Sequence, residues 1–399
     1  MMRTSLVTIT LALLTSAAPA LTQDTDAGPP VGRMVDIDGR PREVRAHVMR
    51  LSLAVSGEKL TGTIGGRPIE GTVRGTAIEF NEGKFTANGS MEGGDLKGDA
   101  VFPDRTVKWS AVRMPPRPAS PSTHVFEPTE FHLYFSSKVA PALRIHPGDT
   151  VHTWSVDAGG RDQQGVQRSP GGNPQTGPFY VEGAMPNDTL VVRLNRVRTN
   201  RDWAASGSTI MRNALEPGTL GFLKWDTGFN SRWKLDGTKN VAFLEKPTET
   251  LKNLTIPLQP MLGCVAVAPQ GDWSVRTTDS GRFGGNMDYN QIREGTTVYL
   301  PVAHPGAILF LGDGHAAQGD GELTGDALET SMDFEFTVDL IQERNFGHPL
   351  AETAEFLISI GIGGSLDQAL NRRRAGWSGG SSVTTCSARA SLRCFLASP

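Results

Sequence analysis

In the run Met332-Asp333-Phe334-Glu335-Phe336-Thr337-Val338-Asp339-Leu340, apolar residues occupy every second position and acids or Thr fill the others. Side chains of an extended chain point alternately to opposite faces, so this spacing gives one apolar and one polar face. A helix would scatter the same residues around its circumference, and the run is therefore read as a half-buried strand. Thr150 to Val156 and Thr189 to Leu194 alternate in the same way, each led in by a turn sequence, Pro147-Gly148-Asp149 and Pro186-Asn187-Asp188. Nearer the N-terminus, Leu60-Thr61-Gly62-Thr63-Ile64, Ile69-Glu70-Gly71-Thr72-Val73 and Leu96-Lys97-Gly98-Asp99-Ala100 repeat one short pattern between Gly and Asn turns. Such a series predicts an antiparallel meander. With 46 Gly, 26 Pro and only 20% charged residues, the composition suits many short strands better than long surface helices.

The predicted fold is mainly β: a small antiparallel barrel or sandwich over residues 34–113, then a larger β-rich domain with a few helices over 123–371. Residues 114–122, with four prolines in Met114 to Pro121, form the spacer between them. One late helix is expected, with Glu352 to Ser359 and Ser365 to Leu370 as its parts. Residues 1–20 read as an export signal: Arg3 precedes a short apolar stretch, and Ala18-Pro19-Ala20 offers small residues where a signal peptidase reads. Residues 21–33 read as a linker. The expected compartment is thus periplasmic or extracellular, with no membrane span left in the mature protein. The formal charge of -3 argues against a nucleic-acid partner. Three cysteines imply no disulfide scaffold, although Cys386 and Cys394 could pair. Cys264, within Met261 to Val267, reads as a buried thiol.

The densest polar constellation is Gly312-Asp313-Gly314-His315-Ala316-Ala317-Gln318-Gly319-Asp320-Gly321-Glu322, entered from the apolar run Ala307 to Leu311. On a continuing strand, Asp313 and His315 share a face. A Gly-Asp-Gly run alone is more often a plain turn, but His315, Asp320, Glu322 and nearby Glu329 together make a plausible metal set. Asp157 closes a second cluster at a strand end, where an acid could equally cap a turn. Arg276 to Asp288 forms a third, with amide and carboxylate side chains. His132 and His152 are further histidines of interest. There is no His-Glu-x-x-His helix, Walker loop or Cys-x-x-Cys pair.

The stretches Arg276-Thr277-Thr278-Asp279-Ser280-Gly281-Arg282-Phe283-Gly284-Gly285-Asn286-Met287-Asp288 and Gly312 to Glu322 resemble the acetamidase/formamidase family. So do Thr176-Gly177-Pro178-Phe179-Tyr180-Val181-Glu182-Gly183-Ala184 with Asp188-Thr189-Leu190, and Pro147 to Val151 leading to Asp157-Ala158. The likeness runs collinearly from about His124 to Leu370. It implies a β-rich hydrolase that splits short amides such as formamide or acetamide, or small lactams, into acid and ammonia. It also implies a divalent metal, zinc first and calcium as the alternative. Carried onto this chain, the resemblance gives His315, Asp313, Asp320, Glu322 and Asp288 as catalytic residues. Glu182, Asn286 and Gly285 would bind substrate, and Asp157, His315 and Glu329 would hold the metal. A homo-oligomer is left open. The N-terminal domain lies outside the family pattern, and residues 372–399, with five Arg and no acid, read as a divergent tail, disordered or frame-shifted.

In the resulting scheme, side chains from around residues 157 and 315 converge in one polar hollow. Asn286 stabilises the developing oxyanion, and Asp320 or Glu322 passes a proton to the leaving nitrogen. Two rival classes are an exported β-rich binding protein for a small ligand or carbohydrate, without catalysis, and a glycosidase using Asp320 and Glu322.

Overall fold

The computed structural model describes residues 6–12, 48–92, 95–114, 117–207, 210–211, 215–216, 218, 230–378 and 394–397. The chain divides into two compact units, Met1–Pro116 and Arg117–Pro399.

The first unit is a closed barrel of eight strands, from Leu6–Ala12 and Val48–Ser56 to Thr106–Arg113, each antiparallel to the next. Leu6–Ala12 pairs with both Val48–Ser56 and Thr106–Arg113 and so closes the ring. Part of the expected leader therefore forms a strand here. Val7, Ile9 and Leu11 alternate with Thr8 and Thr10, a pattern that suits an edge-closing strand as well as an apolar leader. The expected linker 21–33 lies outside the described residues. Leu51, Leu60, Ile69, Ile78, Phe80 and Trp109 fill the interior. Gly89 leaves room for it: a Cβ there would stand 2.7 Å from the Trp109 ring.

The second unit is a sandwich. A six-stranded sheet runs in the order Leu143–Ile145, Gln175–Val181, Leu309–His315, Met261–Ala266, Gly284–Asn286, Ser280–Gly281. An eight-stranded sheet is centred on Thr189–Thr199 and Met332–Ile341. Phe179, Leu309 and Leu311 from the first sheet meet Leu190, Val192, Phe334 and Phe336 from the second, all fully buried. The alternation in Met332–Ile341 is what points both phenylalanines inward. A smaller four-stranded sheet begins at Trp203–Gly207 and Asn230–Asp236.

One expectation about the C-terminal region is corrected. Glu352 to Ser359 is not helical: Thr353 Oγ1 accepts the amides of Glu355 and Phe356, forming a turn between the strands Leu350–Glu352 and Leu357–Ile362. A hydroxyl that caps a turn competes with helix formation, and Ile358, Ile360 and Ile362 are all buried in the sheet. The helix instead spans Leu366–Ser378, after Ser365 Oγ accepts the Gln368 amide at its start. It therefore runs into the stretch read as a divergent tail, and Cys394–Ala397 pairs parallel with Leu357–Ile362. Residues 379–393, including Cys386, lie outside the described residues.

Candidate active site

The Leu309–His315 strand carries apolar side chains into the core until Asp313, where the pattern breaks. Pairing with Met261–Ala266 matches Leu262 to Gly314 and Cys264 to Gly312, but Gly263 and Asp313 drop out of the register. Asp313 has φ of 61°, in the left-handed region. Asp288 and Glu322 also sit there, with φ of 42° and 40°. Non-glycine residues hold such conformations at a cost of about 1–3 kcal/mol, and they cluster where side-chain placement is functional.

The result is a compact acid–imidazole cluster. Asp313, His315 and Glu329 offer one ligand atom each within 4.8 Å of one another, and so do Asp288, His315 and Glu322. His315 Nε2 lies 3.6 Å from Asp313 Oδ1 and 3.3 Å from Glu329 Oε1. His315 and Asp313 are almost fully buried. Glu329 is positioned by a bridge between its backbone and His315, and its Oε1 accepts the Ala327 amide at 3.0 Å.

Neighbouring side chains fix the orientations. Gln318 Nε2 donates to the Asp288 carbonyl at 2.6 Å, which turns Gln318 Oε1 towards His315 Nδ1 at 2.8 Å. An amide oxygen only accepts, so Nδ1 carries a proton and Nε2 faces the carboxylates, where it offers a lone pair to a metal once its own proton is lost. Asn286 Nδ2 donates to Asp288 Oδ2 at 2.6 Å. Asn286 Oδ1 receives Asn173 Nδ2 at 3.2 Å and the Cys264 thiol at 3.1 Å. Asn173 also donates to Asp313 Oδ2 at 2.9 Å.

The electrostatics match this crowding. Burial raises the Asp288 carboxyl well above the usual carboxylate range, and the charges of Asp313 and Glu322 add to it. Burial, opposed by His315 and reinforced by Asp313, lifts Glu329 to about 8. Burial disfavours the His315 imidazolium, but the surrounding carboxylates, Glu329 and Asp313 first, outweigh it and raise His315. Burial raises the Cys264 thiol, as do Asp313 and Asp288, so it stays protonated and acts as a donor.

Three buried carboxylate oxygens of the cluster, Asp288 Oδ1, Asp313 Oδ1 and Glu329 Oε2, have no hydrogen-bond partner among the described residues. Those of Asp313 and Glu329, close to the His315 imidazole, are what a divalent cation would satisfy, and the donor set of one nitrogen and several carboxylate oxygens fits a divalent metal. Gly263 leaves the space: a Cβ there would lie 2.5 Å from Asp313 Oδ2 and 2.6 Å from Asp288 Oδ1.

The other residues named from sequence are placed differently. Asp157 belongs to neither ligand group. Its Oδ2 accepts Arg201 Nη2 at 2.6 Å in a buried pair, and its Oδ1 accepts the Arg161 amide at 2.8 Å. The local sequence conceals this because Arg201 arrives from a distant stretch. Asn286 engages Asp288 Oδ2 with one donor of its amide. Glu182 pairs with Arg144 at 2.6 Å, away from the cluster. Asp320 accepts Asn290 Nδ2 at 2.8 Å and is exposed. Gly285 is buried with φ of 102°, and a Cβ there would collide with the Asp279 carbonyl 2.4 Å away, so only glycine fits this position. His152 binds Asp333 at 2.8 Å, and His132 packs edge-on to Phe310. Asn173, Gln318 and Arg201 were not foreseen. Gln318, three residues after His315 in a Gly-rich loop, had a local signal; the other two had none.

A cleft of about 960 Å³ reaches Glu329 and Asn173, with Asp157, Trp203 and Asp326 in its walls. Asp157 and Glu329 thus border one hollow, whereas His315, expected beside Asp157, is not among its lining residues.

Residues 263–357 match the Acetamidase/Formamidase family model. The structure is similar to an acetamidase from Yersinia enterocolitica, with 30% identity, TM-score 0.53, and coverage of 63% of this chain and 78% of that one. It is also similar to a predicted acetamidase/formamidase from Thermoanaerobacter tengcongensis, at 28% identity and TM-score 0.52, covering 65% and 83% of the two chains. A putative formamidase from Schizosaccharomyces pombe is 26% identical over 194 residues, 37% of this chain. That match spans about half of the relative's length, 47%. Both the site strands Met261–Ala266 and Leu309–His315 fall almost wholly within the matched segment, and the chain belongs to the acetamidase/formamidase family.

Proposed function

We propose that this protein hydrolyses the C–N bond of short amides, of the formamide and acetamide kind and small lactams, to carboxylate and ammonia. The observation that carries the reading is the buried cluster of His315, Asp313, Asp288, Glu322 and Glu329, with an imidazole oriented by Gln318 and with Glu329 lining an open cleft.

An unactivated amide resists water because nitrogen delocalisation protects the carbonyl and ammonia leaves poorly. Nε2 of His315 with Asp313 and Glu329 would hold a divalent metal, zinc before calcium because an imidazole joins the carboxylates. When bound, such an ion supplies Lewis acidity and a water whose pKa is brought to roughly 7. Asp288 handles the proton. Its Oδ2 is held by Asn286, and burial raises its carboxyl well above the usual carboxylate range, which favours a proton on Oδ1. Oδ1 can therefore give a proton to the departing nitrogen, while Glu322, whose carboxyl burial also raises, takes one from the attacking water. The amide becomes a carboxylic acid and ammonia, and the two carboxyls return to their starting protonation by exchanging the proton between them. Gln318, Asn173 and Cys264 hold these groups in place without touching the reacting atoms.

Export follows from Arg3 and Ala18-Pro19-Ala20. Removal of residues 1–20 would take away Leu6–Ala12 and leave Val48–Ser56 and Thr106–Arg113 as open edges of the barrel.

The test is ammonia release from formamide, acetamide and small lactams by protein of measured metal content, with and without chelator. Turnover that disappears on chelation and returns with zinc is expected. No ammonia from any amide by the zinc-loaded protein would end the reading, as would unchanged turnover and metal content in His315→Ala.

A further inference from the structure

The cleft is far too large for acetamide. Pockets that enclose drug-sized ligands measure about 300–1,000 Å³, and this one, at about 960 Å³, stands at the top of that range. Its lining carries charges of both signs. Among the acids are Glu329, the member of the catalytic cluster that lines it, and Asp326, whose carboxyl burial raises. Asp157 is neutralised by Arg201. Two exposed guanidiniums, Arg161 and Arg232, also line the cleft.

Among the described residues, neither guanidinium is used up. Arg161 Nη1 donates to the Gly165 carbonyl at 3.2 Å. Arg232 pairs there with Glu245 at 3.7 Å, a distance longer than a good hydrogen bond. Arg232 is nonetheless held. Its guanidinium carbon lies 4.1 Å from the centroid of the Trp203 ring, and that of Arg201 lies 3.4 Å from the same centroid. Two guanidiniums that close cannot share one face of an indole, so Trp203 is clamped between them. Arg201 is buried and anchored to Asp157, so the stack positions Arg232 through a rigid ring. A planar fork held in place at the wall of a cleft is suited to a carboxylate.

We infer that the preferred substrate carries a carboxylate at the end remote from the amide, as in the monoamide of a short dicarboxylic acid, with Arg161 and Arg232 receiving that carboxylate. This rests on the hydrolase reading above and adds a substrate class to it. The reaction consumes one water and converts the monoamide into the dicarboxylate and ammonia; no other reactant is needed.

The experiment compares kcat/KM for succinamate, glutaramate and adipamate with that for their methyl esters and for acetamide. At least one carboxylate should exceed its ester by about tenfold, the factor one charged hydrogen bond supplies. In Arg161→Gln and Arg232→Gln this ratio, measured within each variant, should fall towards one. Calorimetric binding of glutarate, which needs no turnover, should weaken in both variants and at high salt. Equal use of carboxylate and ester by a protein that does hydrolyse acetamide overturns the inference and leaves the hydrolase reading standing. If no amide is hydrolysed at all, both fall.

Discussion

Gln318 accepts a hydrogen bond from His315 Nδ1 at 2.8 Å, and because its own amide nitrogen is committed to the Asp288 carbonyl, it can do nothing else. One side chain thus selects the tautomer of His315 and ties it to the segment that carries Asp288. Partners of this kind typically change metal affinity by about 10–100-fold when lost. Gln318→Leu is expected to bind zinc that much more weakly, as measured by competition with a chromogenic chelator. The nitrogen-15 signature of the His315 ring should also shift from an Nδ1-protonated form to a mixture of tautomers. A variant with native zinc affinity and an unmixed tautomer would remove Gln318 from this role.

Gly263 offers a second, purely steric test. Its missing Cβ is the space over which Asp313 and Asp288 approach. Neither carboxylate can swing aside freely, since Asn173 holds Asp313 and Asn286 holds Asp288. Gly263→Ala should cost about 1–3 kcal/mol of stability, as overpacking does. It should lower amide turnover by roughly a hundredfold, because displacement of about 1 Å in a site has that effect. Unchanged turnover in this variant would show that the two carboxylates need not meet above residue 263.

How much of this was legible in the sequence depended on how local the cause was. The alternation in Met332–Ile341 dictates its own burial, so a half-buried strand could be read from it. Asp313 and His315 stand two apart at the end of an apolar strand, a local relation that the sequence displays. The role of Asp157 depends on Arg201, 44 positions away and buried against it, and no local pattern announces such a pair. The same holds for Asp320 and Glu322. Both sit in one Gly-rich loop, and only the left-handed backbone at Glu322 decides that it reaches the cluster while Asp320 turns to Asn290. The segment Glu352 to Ser359 was misleading because its composition allows a helix, whereas the Thr353 turn and the neighbouring strand fix a hairpin.

The pairing of Asp157 with Arg201 separates a structural acid from a metal ligand. Their side chains are only 7% and 2% exposed, so Asp157→Ala strands a buried guanidinium that also donates to the Asp162 carbonyl and Thr330 Oγ1. Breaking a buried pair from one side costs about 3–5 kcal/mol. The unfolding midpoint in urea should fall accordingly while zinc stoichiometry stays at the wild-type value. Loss of zinc with no loss of stability would reverse the assignment and return Asp157 to the ligand set.

A pH dependence unrelated to the site should arise at His348. This residue is buried, and burial, with Arg282 and Arg372 nearby, lowers its pKa to about 4 from an ordinary value of 6.5. Above pH 6.5 the imidazole is neutral in both the folded and unfolded chain and contributes no pH dependence. As pH falls below 6.5 the unfolded chain takes up a proton that the folded one refuses until about pH 4. Stability is therefore present above the unfolded pKa and is lost progressively over the interval from about 6.5 to about 4. A shift of this size corresponds to roughly 3 kcal/mol over that interval. Urea denaturation of the larger unit at a series of pH values should show this decline in the wild type and a flatter profile in His348→Gln. The same slope in both proteins would mean that other groups, not His348, carry the acid sensitivity.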